Sequence, residues 1–529
     1  MKKPNILFAF ADDWGRYASA YAEHEGEKSI NHLIQTPNFD WVAKEGALFK
    51  NAFVPAPTCT PCRSSVLSGR YFWQTGLGAI LKGAVWDRKI PSYPFLVEDS
   101  GYNIGFSYKV WSPGVPKDDP YGGDTRRYQS AGNDFSHFSF KVTDEYEKTK
   151  NLIQAKKSLY DEVKNNFLSF IEDQDSDKPF CYWWGPNNTH REWQRGSGKK
   201  IWDINPDDLK GRLPEFLPDV HDIREDFADY LGECMAFDGG LGVLLDCLKE
   251  MGELDNTFIV VSGDHGIPGV PRAKCNLYDI GCEVALAARL PNVVKENHII
   301  DDMVNIMDVA PTFLEIAGVE KPSTMPANSL LPIMKSSKNG QVDPERTFVI
   351  TGRERHVHVA REWNLPYPQR AIRTNKYLYI RNFKPDRWPV GDPKGMDNYE
   401  AKPPTFEELE HETYSAYPDM DASPTKAWMI HNRNNKELKE SYELGFGKRP
   451  GEELYDLKKD PNYLNNLSKD NEYKSIKESL SKQLMDELEN QGDPRLVEEN
   501  CRFELSPYTD VDDKLDNTEF RKKNAGHIP

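Results

Sequence analysis

One aspartate pair, one Asp-His pair and one cysteine stand where chemistry can be done. Asp12 and Asp13 follow the apolar run Ile6 to Ala11, and Asp264 with His265 closes the run in NTFIVVSGDHG. Carboxylates gathered at the ends of two buried strands are hard oxygen ligands for a divalent cation such as calcium. Asp12 and Asp13 alone read equally well as caps of a following helix; the second acidic strand end turns the reading to a metal site. Between the pairs lies PTCTPCRSSVLSGRY, residues 57–71. Cys59 and Cys62 have the two-residue gap of a zinc half-site, but no second CxxC and no paired histidines follow, which disfavours a structural zinc. Pro61 to Ser68 reads as a helix. Cys59 then lies just before its start and faces the positive end of the helix dipole, a position suited to an anionic ligand or a nucleophile.

The elements that must position these residues alternate. After the strand Ile6 to Ala11, Thr36 reads as an N-cap, Pro37 as the first helical residue and Gly46 as the stop of the helix through NFDWVAKE. PFCYWWG (179–185) and NTFIVVSGDHG (256–266) are further buried strands. Between them Leu231, Cys234, Phe237, Leu241, Leu244, Leu245 and Leu248 recur at helical spacing, and MDVAPTFLEIAG is a helix ending at Gly318. Strand, helix, strand at this rhythm predicts an α/β sandwich with a mainly parallel sheet, in which ligands bind outside the carboxyl ends of the strands. From about residue 365 the texture changes: RAIRTNKYLYIRNF and EELYDLKKDPNYLNNLSKD read as antiparallel strands and turn, and YKSIKESLSKQLMDELENQG as an amphipathic helix. Residues 1–365 are therefore expected to form the large domain, and 366–529 a smaller α+β domain with a short antiparallel sheet and a charged, extended tail.

Composition bounds the partners. The 529 residues carry a formal net charge of −17, which argues against binding of nucleic acid or an anionic membrane surface. No apolar run approaches the ~18 residues that span a bilayer. The eight cysteines are too few for a disulfide scaffold in so long a chain, and Cys181 and Cys247 read as small core residues. On this acidic background TGRERHVHVARE (351–362), with Arg373, Arg381 and KPDRWP, concentrates arginine, histidine and aromatics. One reading is a pocket wall for a polyanionic sugar, with Arg353, His356, His358 and Arg361 as the contacts and Trp388 stacking on a ring. The other is an ion-paired edge of the small domain. Alternation along a strand would set His356 and His358 on one face.

CTPCRSSVLSGR resembles the CxPxR signature of the type I sulfatases, and the likeness extends beyond it. PNILFAFADDWG is similar to that family's first strand and calcium aspartates, SGDHG to its second calcium pair, and AKCNLYDIGCEVAL to the lysine segment after it. GYNIGFSYKVW resembles the glycine-lysine segment and PFCYWWGPNNTHR the strand that delivers a histidine. IPGVPRAKCNLYD and ELYDLKKDPNYLNNLSKD are most similar to the branch of N-sulfoglucosamine sulfohydrolase. The resemblance implies an alkaline-phosphatase-like fold and a hydrolase of carbohydrate sulfate esters, on algal or glycosaminoglycan oligosaccharides, with N-sulfoglucosamine cleavage as the alternative. It further implies that a maturation enzyme oxidises Cys59 to formylglycine, that Asp12, Asp13, Asp264, His265 and the oxidised Cys59 hold calcium, that Arg63 steadies the aldehyde hydrate, and that Lys109, His190 and Lys274 contact sulfate or protonate the leaving oxygen. It also implies a periplasmic or secreted location.

Three positions depart from the family pattern. Trp111 stands where many members have a histidine, and is expected against the substrate; it can neither ionise nor accept a proton, so leaving-group protonation falls to His190 or Lys274. Cys62 replaces a serine, and His265 a common asparagine. Two other readings remain. A two-zinc phosphatase would need aspartate four residues before a histidine, which none of the twelve histidines has. A noncatalytic sulfated-glycan-binding protein, with Cys59 left as a thiol, would differ little in sequence.

Overall fold

The computed structural model describes residues 3–175 and 177–510. The C-terminal part of the expected tail lies outside the described residues. Along the chain the strands are β1 Asn5–Ala11, β2 Ala47–Phe49, β3 Ala52–Phe53, β4 Asn103–Tyr108, β5 Phe180–Gly185, β6 Thr257–Gly263, β7 Leu286–Arg289, β8 His298–Ile300, β9 Val304–Asn305, β10 Phe348–Arg353, β11 Gln369–Thr374, β12 Tyr377–Asn382 and β13 Glu452–Asp456.

Seven of them form one sheet in the order β4-β5-β1-β6-β7-β2-β8. The pairs β4-β5, β5-β1, β1-β6 and β2-β8 are parallel; β7 alone runs against its neighbours β6 and β2. A sheet covered on both faces explains why β1, β5 and β6 are near-continuous apolar runs. The pleat then divides their side chains. Leu7, Ala9 and Ala11 pack into the core formed with helix His221–Glu250, while Ile6, Phe8 and Phe10 pack on the opposite face with Val66, Leu67 and Phe313.

The seven apolar residues expected on one helix all lie in His221–Glu250, where six are fully or almost fully buried and Leu245 is 7% exposed. That helix also buries Asp226, Asp229, Glu233 and Asp238, which its apolar period does not announce. They accept backbone or side-chain N–H groups from loops lying on it. Asp238, for instance, accepts from the amides of Phe39 at 2.7 Å and Asn38 at 3.2 Å. It thereby caps helix Pro37–Lys44 in place of Thr36. The Thr36 side chain makes no cap bond; its hydroxyl accepts from the Ser19 amide at 2.8 Å and donates to Asp40 at 3.1 Å.

A second sheet has the order β10-β11-β12-β13 and is antiparallel throughout, with helix Lys474–Asn490 packed on β11 and β12. It begins earlier than the change of texture at residue 365. β10 pairs with β11 from Phe348↔Thr374 to Arg353↔Gln369, so a division at 365 runs through this sheet. Val390, Tyr417, Ile430 and Phe446 also share the core that surrounds helix His221–Glu250. The C-terminal chain is thus built into the large layer as well as the small sheet.

Candidate functional site

Four adjacent parallel strands end side by side, and each delivers a charged residue to one place. β1 and β6 are in register up to Ala11↔Gly263, which sets Asp12-Asp13 beside Asp264-His265. The Asp13 amide donates to Asp264 Oδ1 at 2.8 Å, across 251 residues of sequence. Gly263 must be glycine here, because a Cβ would stand 2.0 Å from the Trp14 carbonyl oxygen. β4 ends at Tyr108 and is followed by Lys109, whose amide bonds the Gly185 carbonyl at 2.9 Å. β5 ends at Gly185 and leads into PNNTH, which places His190.

Helix Cys59–Ser68 closes the site from the other side, buried at every position. It begins two residues earlier than Pro61 to Ser68 suggested, so Cys59 is its first residue and Thr58 its N-cap. The helix ends on Gly69 with φ 61, where a Cβ would meet Met325 at 2.4 Å. Arg63, one turn after Cys59 and 0% exposed, donates from Nε to Asp264 at 2.7 Å and from a terminal nitrogen to Asp12 at 3.1 Å. Its other terminal nitrogen bonds the carbonyls of Lys109 and Val110, each at 3.2 Å. One guanidinium thereby ties the ends of β1, β4 and β6 to the helix that carries Cys59.

The charges are closely matched. Lys109 Nζ donates to both oxygens of Asp12 at 2.8 Å, and Lys274 Nζ to Asp13 at 2.9 Å. Burial opposes ionisation of Asp12, but Lys109 and Arg63 outweigh it and hold the carboxyl well below its ordinary range. Burial likewise works against a charged Lys274, and Asp13 with Asp421 overcomes it, holding the amine well above its ordinary value. Both lysines are therefore cations at neutral pH. His190 Nδ1 lies 2.5 Å from the Arg191 carbonyl, which can only accept, so Nδ1 carries hydrogen and Nε2 lies 3.9 Å from Asp13 Oδ2. Cys59 Sγ is 3.4 Å from His265 Nε2. Burial, and then Asp12, push its thiol well above its ordinary value, so the helix start does not by itself yield a thiolate.

Two clusters of potential metal ligands meet at Cys59: Asp12, Cys59 and Asp264, and Asp13, Cys59 and His265. Within each, the ligand atoms lie within 4.8 Å of one another. His265 Nε2 lies 3.1 Å from Asp13 Oδ1, so the imidazole points into the carboxylates. Three buried carboxylates with one nitrogen fit a divalent cation, the oxygens being of calcium type.

The other expected contacts are placed differently. Trp111 is fully buried, its indole N–H donating to Ser64 at 2.7 Å, and it does not line the cleft beside Lys109. Arg353 and Arg361 are both buried on one carboxylate oxygen of Asp419, at 2.8 and 2.6 Å. β10 ends at Arg353, so strand alternation does not govern His356 and His358. His356 is buried with Nδ1 2.6 Å from the Thr58 hydroxyl, and burial lowers it to about 3; His358 is half-buried, 5.8 Å from the Tyr414 ring. Sequence reasoning missed Asp421, 3.1 Å from Lys274, and Asn187, whose amide donates to Asp12 at 3.0 Å. Asn187 stands three residues before His190 in the same loop, a signal available in PNNTH; Asp421 comes from a distant segment with none.

A site of this kind, in which cations and carboxylates converge on one helix-borne cysteine at the end of a parallel sheet, defines an alkaline-phosphatase-like hydrolase. The comparisons specify which. The sulfatase family model matches residues 4–319, and the model described as the C-terminal region of N-sulphoglucosamine sulphohydrolase matches 272–415. The chain belongs to the sulfatase family and is a hydrolase of sulfate esters. It is 28% identical over 510 residues to an ulvan-active sulfatase of Formosa agariphila, covering 93% of this chain and 81% of that protein. It is 25% identical over 513 residues to the N-sulphoglucosamine sulphohydrolase of Homo sapiens, covering 91% and 89%. Its fold is shared by the phosphonate monoester hydrolase of Agrobacterium radiobacter, with a TM-score of 0.62 at 16% identity, covering 92% of this chain and 96% of that one.

Proposed function

We propose that this sulfatase removes sulfate ester groups from acidic carbohydrates, with Cys59 converted to formylglycine and a calcium ion held by Asp12, Asp13, Asp264 and His265. The observation that carries the reading is the convergence of Arg63, Lys109 and Lys274 on the carboxylates around Cys59. Conversion of Cys59 would supply an aldehyde hydrate as nucleophile, and the cation would neutralise charge beside it.

The chain's own residues do the rest. Lys109 and Lys274 are fixed cations that offset the negative charge growing on the sulfate oxygens, in a site that excludes most water. Arg63 holds the cluster rigid and steadies the oxygen substituents at residue 59. With the Trp111 indole turned away toward Ser64, the proton for the departing sugar oxygen comes from His190 or Lys274. His190 Nε2, with Nδ1 anchored, is suited to passing a proton at that atom.

The relatives support a sulfated carbohydrate as substrate, and we place the enzyme in the periplasm or outside the cell, where such polymers are met. N-sulfoglucosamine cleavage is the second reading, favoured by the match of residues 272–415. Free sulfate released by the matured enzyme from a panel of O- and N-sulfated oligosaccharides decides between them. Turnover of O-sulfated sugars supports the first; release from N-sulfated glucosamine alone supports the second. Saturable binding with no release from any of them would instead indicate a glycan-binding protein.

A further inference from the structure

The cleft that opens beside Lys109 and His190 has a volume of about 360 Å³, and its outer wall is built by residues 112–137. Two other cavities, of about 420 and 510 Å³, contain none of the residues gathered around Cys59. On a chain of net charge −17 this cleft is basic, and its cations are unequally committed. Lys109 is held by Asp12. Arg191 grips Asp226 through two bonds of 2.7 and 2.8 Å, and Arg127 bonds Asp118 at 2.9 Å. Lys117 and His137 are exposed, and among the described residues neither has a hydrogen-bond or ion-pair partner. The carboxylate that lines the cleft, Glu192, faces His411 at 3.5 Å.

Neutral polar groups complete the wall. Gln129 accepts the Tyr108 amide with Oε1 at 3.0 Å, which leaves its NH₂ to donate, and Asn133 accepts from Ser136 with Oδ1 at 3.3 Å. An uncommitted lysine and an imidazole N–H beside amide donors make a surface for a hydroxylated anion. Arg353 and Arg361, spent on Asp419, cannot serve that purpose.

We propose that this cleft is a sugar subsite, in which Lys117 and His137 bind an anionic substituent, a carboxylate or a second sulfate, on the sugar next to the one that loses its sulfate. The inference rests on the reading of Lys109 and His190 as the sulfate-handling end of the same cleft. Gln129 and Asn133 then read hydroxyls of that neighbouring sugar. Recognition of this kind is screened by salt and is expressed in substrate affinity, not in the chemical step.

The test is calorimetric titration of the Cys59→Ala protein with three probes: a monosulfated disaccharide containing a uronic acid, its carboxyl-reduced form, and the reduced form carrying a second sulfate. At least one doubly anionic probe is expected to bind about tenfold more tightly than the reduced monosulfate. Preference for the uronate identifies the carboxylate, and preference for the disulfate the second sulfate. Lys117→Ala and His137→Ala, in the same background, are expected to erase the preference without weakening the reduced probe. Equal affinity for all three probes, no binding of any, or a preference that survives both substitutions would overturn the subsite. Sulfate release by the matured wild-type enzyme is read separately. Release without an anion preference removes the subsite and leaves the sulfatase reading, whereas a preference without release keeps the subsite and removes that reading.

Discussion

Lys274 Nζ joins two carboxylates from opposite ends of the chain, Asp13 at 2.9 Å and Asp421 at 3.1 Å. Asp13 belongs to the end of β1 and Asp421 to the segment that follows Asp419, so the C-terminal chain completes the site. Replacing Asp421 by asparagine keeps the shape but removes the charge. We expect kcat to fall by roughly 10- to 100-fold as Lys274 loses its second anchor, with a circular dichroism spectrum and melting temperature close to wild type. Unchanged kcat would assign Asp421 to packing alone.

Arg63 is enclosed by Asp12, Asp264 and two carbonyls with no exposed surface. Arg63→Ala takes the guanidinium from buried Asp264 while Asp12 keeps Lys109, and should destabilise the fold by about 3–5 kcal/mol. Denaturant unfolding measures it, and a loss below about 1 kcal/mol would mean that water or rearrangement replaces the guanidinium.

Metal should be visible in stability as well as in activity. A cation that binds the native state alone raises the melting temperature by mass action. Chelation is expected to lower it and calcium to restore it, while Asp264→Asn abolishes both responses. His265→Asn should shift competition between manganese and calcium toward calcium, because it exchanges an imidazole nitrogen for an oxygen donor. Elemental analysis with no bound metal, together with no effect of chelation, would remove the cation from the account.

Glu233 gives a pH dependence. Its carboxyl accepts from the Ser139 amide and from Asn188, two residues before His190, and burial raises it from 4.5 to about 7. Between those values the folded chain keeps a proton that the unfolded chain has lost. The stability this proton represents is full below 4.5 and is lost as pH rises through 7, a change of about 3 kcal/mol. Glu233→Gln should therefore lose less melting temperature than wild type between pH 5 and 8. Parallel pH profiles would show that Glu233 ionises normally in the fold.

The strands and the Asp-Asp and Asp-His pairs were legible because a covered parallel sheet demands unbroken apolar runs, and because residues at strand ends are already adjacent once the strands pair. Lys109 and His190 carried no signal in spacing alone; only the motif resemblance singled them out. Long-range partners were not legible for a different reason. Asp421 and Asp419 meet Lys274 and Arg353 across 147 and 66 residues, and no local period encodes such contacts. The arginine-rich segment misled for a physical reason as well, since clustered arginines can be neutralised inside the fold as readily as displayed on it. Asp419 absorbs Arg353 and Arg361, and the uncommitted basic groups lie instead at Lys117 and His137.

The most direct test of the central claim is the mass of the proteolytic peptide containing Cys59, from protein co-expressed with a formylglycine-generating enzyme. The account predicts a peptide converted from thiol to aldehyde, and sulfate release that scales with the converted fraction. An unmodified cysteine, obtained while the maturation enzyme converts a control peptide, would contradict it.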